Sequence, residues 1–199
     1  MVDLDFIEIG TSNFDTIIQT CADDEYGISI DAIQYYLDCL PVKSNVSKVH
    51  MAITANRTTE SIDVYYIPEY IIESLKLQDW FRGCNTIGKY HPLHVQYGLT
   101  HLVKKESVPL LNIDEFLIQQ NIRKIKYLKL DTEGHDCVIL NGLFQYLESK
   151  TKEYYPDRIM FETNENTLST DIDKTIEWAI RIGYVLVSRS SDTLLILAS

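Results

Sequence analysis

Short apolar runs alternate along the chain with segments of helical period, the pattern of a mostly parallel sheet covered by helices on both faces. Residues 4–9 predict a first strand, and residues 14–22 a helix. Residues 26–31 predict a second strand, followed by a helix over 31–40 that Pro41 stops, because proline lacks the amide donor and clashes with the preceding turn. Residues 46–54 read as a third strand, and the alternation of 61–67 places another beside it. A helix over 68–77 opens on Pro68, a favoured first position. Residues 79–108 carry Gly83, Gly88, Pro92 and Gly98 and no regular period, and a long irregular stretch inside a domain commonly carries function.

Asn112 with Glu115 three residues on forms a capping box for a helix reaching about residue 121. A strand over 125–131, a helix over 136–149 and a strand over 158–162 follow. The helix starting at Thr170 places Ile172, Ile176, Ala179 and Ile180 on one face. Residues 184–187 and 193–197 close the chain as a hairpin. Without a repeat, linker or low-complexity tract, residues 1–199 read as a single domain.

Two strand-to-helix junctions concentrate the chemistry. At the first, Glu8, Gly10, Thr11, Ser12 and Asn13 end the opening strand. A glycine there allows close approach of a ligand to backbone, and the following helix start offers free amides. Asp31 follows Gly10 by about twenty residues at the end of the second strand, the placement of a carboxylate that reaches ribose hydroxyls. The remaining glycines of a dinucleotide fingerprint are missing, which favours a nucleoside without a pyrophosphate. An ordinary strand-to-helix turn is the alternative.

At the second junction Asp131, Glu133 and His135 fall within five residues, ahead of Gly134 and a helix. Strand alternation sends Asp131 and Glu133 to one side, an arrangement for general-base chemistry. Acidic capping of the helix is the competing reading. His91 and His94, in the irregular stretch, hint weakly at a metal with Asp131 or Glu133, and the expectation is no metal. Tyr65, Tyr66, Tyr70, Tyr90 and Tyr97 are candidates for a substrate groove or for half-buried packing. No phosphate-binding loop with Gly-Lys-Ser/Thr, no Gly-x-Ser-x-Gly elbow and no His-Glu-x-x-His helix occurs.

Charge narrows the partners. With 18 basic and 29 acidic residues the net charge is -11, which argues against nucleic acid and anionic membranes as partners. Arg123, Lys124, Lys126 and Lys129 leave room for a local basic groove. Cys21, Cys39, Cys84 and Cys137 lie far apart and form no metal or redox motif. With no leader and no long apolar run, the expected setting is a reducing cytoplasm.

These residues resemble a family. Lys129, Asp131, Glu133 and Gly134 fall at the spacing Lys-x-Asp-x-Glu-Gly, with Leu140 and Gly142 downstream, and are similar to the characteristic element of FkbM-type methyltransferases, a branch of the class I S-adenosylmethionine-dependent enzymes. Residues 111–116 resemble the segment preceding it. Glu8, Gly10, Thr11, Ser12 and Asn13 resemble the first cofactor motif, Asp31 with Ala32 the ribose contact, and Ala52 with Ile53 the adenine flank. Residues 159–162, ending in Glu162, and Gly183 with Tyr184 resemble the late strand and the final turn. The glycines common after the first are here Thr11, Ser12 and Asn13.

The resemblance implies a doubly wound, mostly parallel seven-stranded α/β sheet with a C-terminal antiparallel hairpin. It also implies S-adenosyl-L-methionine as cofactor and transfer to a hydroxyl of a sugar or other small molecule. Asp131, Glu133 or His135 would take the proton, and His91 and Glu162 are candidates for touching the acceptor. A catalytically silent module that binds nucleosides or protein partners is the alternative function. A nucleotide-dependent oxidoreductase fits less well, for want of the glycine fingerprint.

Overall fold

A computed structural model describes residues 1–164 and 166–198. The first half contains β1 (Val2–Ile9), α1 (Ile17–Thr20), β2 (Gly27–Asp31), α2 (Gln34–Cys39), β3 (Val46–His50), β4 (Ala52–Thr54), β5 (Ser61–Tyr66), α3 (Glu69–Ser74), β6 (Thr86–Ile87) and α4 (Pro92–Gln96). The second contains β7 (Lys104–Asn112), α5 (Ile113–Gln119), β8 (Ile122–Leu130), α6 (Asp136–Leu147), β9 (Arg158–Glu162), α7 (Ser169–Arg181), β10 (Tyr184–Arg189) and β11 (Asp192–Leu197). The main sheet has seven strands in the order β10-β11-β9-β8-β1-β2-β3. Pairing is parallel from β3 across to β9, and β11 runs antiparallel to both β9 and β10, as the resemblance implies.

Alternation along β1 fixes the two faces. Ile7 and Ile9 join the largest core cluster with Leu128 and Leu130 of β8 and the inner faces of α5, α6 and α7. Phe6 packs on the opposite face with Ile18, Leu37 and Leu40. Strands covered on both faces need apolar residues in near-continuous runs, which is why β1 and β8 stand out in the sequence.

The middle of the chain departs from expectation. Residues 46–54 are not one strand: the Met51 amide donates to the Asp31 carbonyl, ending β3, and β4 leaves for a second sheet of order β4-β7-β5-β6. β5 pairs with β7, not with β3. Residues 104–108, expected to be irregular, belong to β7, whose charged start and Pro109 disguise it. Pro109 sits where β7 changes neighbours, facing Ser61 of β5 before Leu110–Asn112 pair with β4. The helices after β1 and β2 are shorter than predicted, because each junction is occupied by turn residues that bind one another.

The four basic residues that left room for a groove are each paired. Arg123 pairs with Asp3, Lys124 with Asp157 and Lys126 with Asp5, while Lys129 pairs internally with Glu8. All four cysteines are free thiols, and no described helix is long and apolar enough to cross a membrane.

Candidate active site

β1 and β8 are hydrogen-bonded neighbours with Ile9 opposite Leu130, so both predicted junctions leave the sheet at the same edge. The carboxyl ends of adjacent parallel strands are where open α/β sheets bind ligands. Gly10 takes φ +83°, and a Cβ built on it would lie 2.0 Å from the Asp131 carbonyl oxygen. The two motifs therefore touch through backbone. Gly10→Ala is expected to cost about 3 kcal/mol from left-handed strain plus overlap, measured by urea denaturation.

Ser12, at φ +51°, donates its amide to Asp31 Oδ2 at 2.8 Å. Asp31 Oδ1 accepts the Ile33 amide at 2.7 Å, and the Thr11 hydroxyl lies 3.4 Å from Oδ2. Burial pushes the Asp31 carboxyl up to about 6 against these hydrogen bonds. Beyond it Ile33, Met51, Ala52, Ile53, Val64 and Ile87 form an apolar wall suited to a flat ring. The enclosed volume is about 290 Å³.

The far wall is acidic. Asp131 opens to the cleft, yet the concave surroundings desolvate it and, with Asp136 and Glu133 nearby, push it up to about 7. Glu133 adopts φ +53° ahead of Gly134 at +93°, and its Oε2 accepts from Asn166 Nδ2 at 2.8 Å. Burial, then Glu133 and Asp131, push Glu162 up to about 9; its Oε2 is buried without a partner among the described residues. Asp131, Glu133 and Glu162 each bring an oxygen within 4.8 Å of the others, close enough to share a proton or a cation. Neither His91 nor His94 belongs to that set.

Asp136 was not singled out from the sequence as a site residue. Fully buried, it accepts the Thr132 amide at 2.8 Å and the Thr132 hydroxyl through one oxygen, and the Glu162 amide at 2.8 Å through the other. It thus ties the end of β8 to the end of β9, and burial pushes it up to about 6. His135 Nε2 lies 2.9 Å from the Thr54 hydroxyl, and burial, with Lys89 adding to it, pushes its pKa down to about 4.

Gly10, Thr11, Ser12, Asp31, Ala32, Ala52, Ile53, Asp131, Glu133, His135 and Glu162 all line this one cleft. Three predicted site residues do not. Glu8 lies beneath the floor, its carboxylate bound to Lys129 Nζ and to the Ile17 amide, both at 2.9 Å. Asn13 turns outward to Glu69 at 3.1 Å. His91 is fully buried behind Glu133. None of the five tyrosines lines the cleft; Phe14, Trp80, Asn85 and Thr86 do, three of them from the glycine-marked irregular stretch that was the one signal for them.

The titrating groups set a pH dependence. A carboxyl whose folded pKa is raised contributes stability that is complete below its unfolded pKa and lost as pH rises through the folded one. Asp31 and Asp136 do so near 6, Asp131 near 7 and Glu162 near 9. His94 and His135, lowered from 6.5 to about 4 by burial, act oppositely and add stability as pH climbs through that interval. The melting temperature is therefore expected to fall between pH 6.5 and 9, and a rise there would contradict the carboxyl cluster.

Residues 26–184 match the family described as Methyltransferase FkbM domain. The chain belongs to the FkbM methyltransferase family. Members use S-adenosylmethionine as methyl donor. The FkbM match leaves out residues 1–25, although β1 sits between β2 and β8 at the centre of the sheet and its Gly10 turn abuts Asp131. No curated protein matches the chain. The structure of M. capricolum TrmK in complex with S-adenosyl-homocysteine is similar at 12% identity and a TM-score of 0.36, over 96% of this chain and 59% of that chain. The FkbM assignment rests on the family match.

Proposed function

We propose that the protein methylates a hydroxyl oxygen of an uncharged small molecule, such as a sugar, with Asp131 as the base. Asp131 carries this reading: its carboxylate opens into the cleft, accepts no hydrogen bond from a described side chain, and titrates near 7. A general base works best when its pKa lies near the working pH. His135, pushed down to about 4, is a far weaker base, and its ring is engaged by Thr54.

The residues fit the cofactor. The Gly10 cradle has no room for a Cβ, Asp31 keeps a lone pair for a ribose hydroxyl, and the apolar wall beside Ala52 and Ile53 suits adenine. Bound there, S-adenosylmethionine supplies an electrophilic methyl group on a cationic sulfonium. Asp15, Asp31, Asp131 and Glu133 line the cleft with no lysine or arginine beside them, favourable to that cation. The same lining repels phosphates, which disfavours a nucleic acid or nucleotide-linked acceptor. Glu162, pushed up to about 9, is protonated at neutral pH, and its unpartnered Oε2 would have a hydrogen to offer the acceptor.

Incubation with methyl-labelled S-adenosylmethionine and a panel of free sugars and glycosides is expected to yield a methyl ether, identified by mass spectrometry. Labelled RNA with unlabelled sugars would overturn the acceptor reading. Absence of S-adenosylhomocysteine binding by calorimetry at millimolar ligand would overturn the cofactor reading.

A further inference from the structure

Glu133 is gripped by two segments remote from it in sequence. His91 comes from the stretch between β6 and α4, is fully buried, and places Nε2 3.3 Å from Glu133 Oε2. Its other nitrogen, Nδ1, accepts the Leu93 amide at 3.2 Å. A ring nitrogen that accepts carries no proton, so the neutral ring is protonated on Nε2 and donates towards Glu133. Asn166, ahead of α7, donates to the same oxygen at 2.8 Å and lies 3.3 Å from His91 Nε2. Both grips fall on Oε2, leaving Oε1 on the side of Gly83, where a Cβ would lie 3.3 Å from it.

We infer that His91 is a positioning residue: through its Nε2–H it holds the Glu133 carboxylate against Asp131 at the cleft wall. The inference rests on the methyl-transfer reading for its functional meaning. The Glu133 backbone is fixed by its left-handed turn, but the side chain has three further rotatable bonds, and those are what the grip removes. Held there, the Glu133 charge faces Asp131 together with Asp136 of α6, Lys129 of β8, Asp192 of β11 and Glu162 of β9. The merely structural alternative is that His91 caps α4 and nothing more.

Two substitutions separate the roles. Asparagine in place of His91 keeps an acceptor near the Nδ1 position and so preserves the cap, but it stops short of Glu133. Glutamine extends an amide donor to the Nε2 position. The readout is the titration midpoint of the Asp131 carboxyl carbon, followed by NMR in the free full-length chain. His91→Gln is expected to keep the wild-type midpoint, whereas His91→Asn and Glu133→Gln each lower it by about half a pH unit. In the Glu133→Gln background, His91→Asn should change nothing further.

Equal midpoints for the Asn and Gln variants, or an additional shift in the Glu133→Gln background, would overturn the inference. If His91→Asn does not fold, the ring itself decides: nitrogen shifts reporting an Nδ1–H tautomer in the wild type overturn the grip, an Nε2–H resonance that moves in Glu133→Gln supports it, and one that stays put overturns it. Calorimetry with S-adenosylhomocysteine on the wild-type protein keeps the two readings apart. Lost binding with an intact midpoint pattern sinks the methyl-donor reading alone; intact binding without the pattern sinks the grip alone.

Discussion

Asp131→Asn is expected to lower methyl transfer by about 10²–10⁴-fold, the usual contribution of a positioned general base. Asparagine keeps the shape of the side chain and cannot take a proton. S-adenosylhomocysteine binding should persist, because the Gly10 turn touches the Asp131 carbonyl and not its carboxylate. The variant should also melt no lower than the wild type at pH 8, since charge on Asp131 above its raised pKa of about 7 is a burden the amide avoids. His135→Ala, by contrast, should cost less than about tenfold, because a ring titrating near 4 contributes little as a base. If His135→Ala proves the more damaging change, the assignment of the base reverses.

The second large effect belongs to Lys129. Its side chain is 11% exposed, and its ammonium sits 2.9 Å from the fully buried Glu8 carboxylate and also donates to the Asp15 carbonyl at 2.9 Å. The two partners point to different balances. Burial raises the Glu8 pKa despite the lysine, while Lys129, which desolvation lowers most strongly, ends up raised by Glu8 together with Asp131 and Asp15. The Glu8 direction is the better guide to net stability, because the fully buried partner bears the greater desolvation cost, so the ionised pair adds no net stability. Breaking it is another matter: Lys129→Met strands a buried charge and should lower unfolding free energy by about 3–5 kcal/mol. Adding Glu8→Leu to that variant should recover most of the loss in urea denaturation. If it recovers nothing, the pair is not what the substitution disturbed.

Much of this was legible from residue order. The apolar runs of β1 and β8 and the glycines ending them mark two neighbouring strand ends, and β9 falls on residues 158–162 as read. What escaped notice did so for identifiable reasons. Glu8 alternates with Ile7 and Ile9, so its side chain leaves on the face away from the cleft-side core, and only knowledge that β1 lies beside β8 reveals Lys129 as its partner. The start of β7, Lys104-Lys105-Glu106-Ser107, has the polarity of a loop because its ion pairs with Asp63 and within the strand lie at the surface. His91 looked like a ligand-binding group because sequence does not reveal burial, and its place behind Glu133 arises from a segment about forty residues away folding back. Asp136 reads as a helix-start acid, which it is; its second oxygen reaches β9 only in three dimensions.

The exchange of partners at Pro109 has a consequence for how such a protein can diversify. β5 and β7 lie side by side through six paired positions, so the chain from residue 67 to 103 leaves and returns at a fixed gate. Lengthening a loop whose ends are already clamped costs little, since closure entropy grows only logarithmically. Beyond Pro109 the same strand changes task and braces the apolar wall through β4. Trp80, Asn85 and Thr86 can therefore be replaced, or their segment rebuilt, while Ala52 and Ile53 keep their places; on the proposed reading, one donor pocket would then serve successive acceptors.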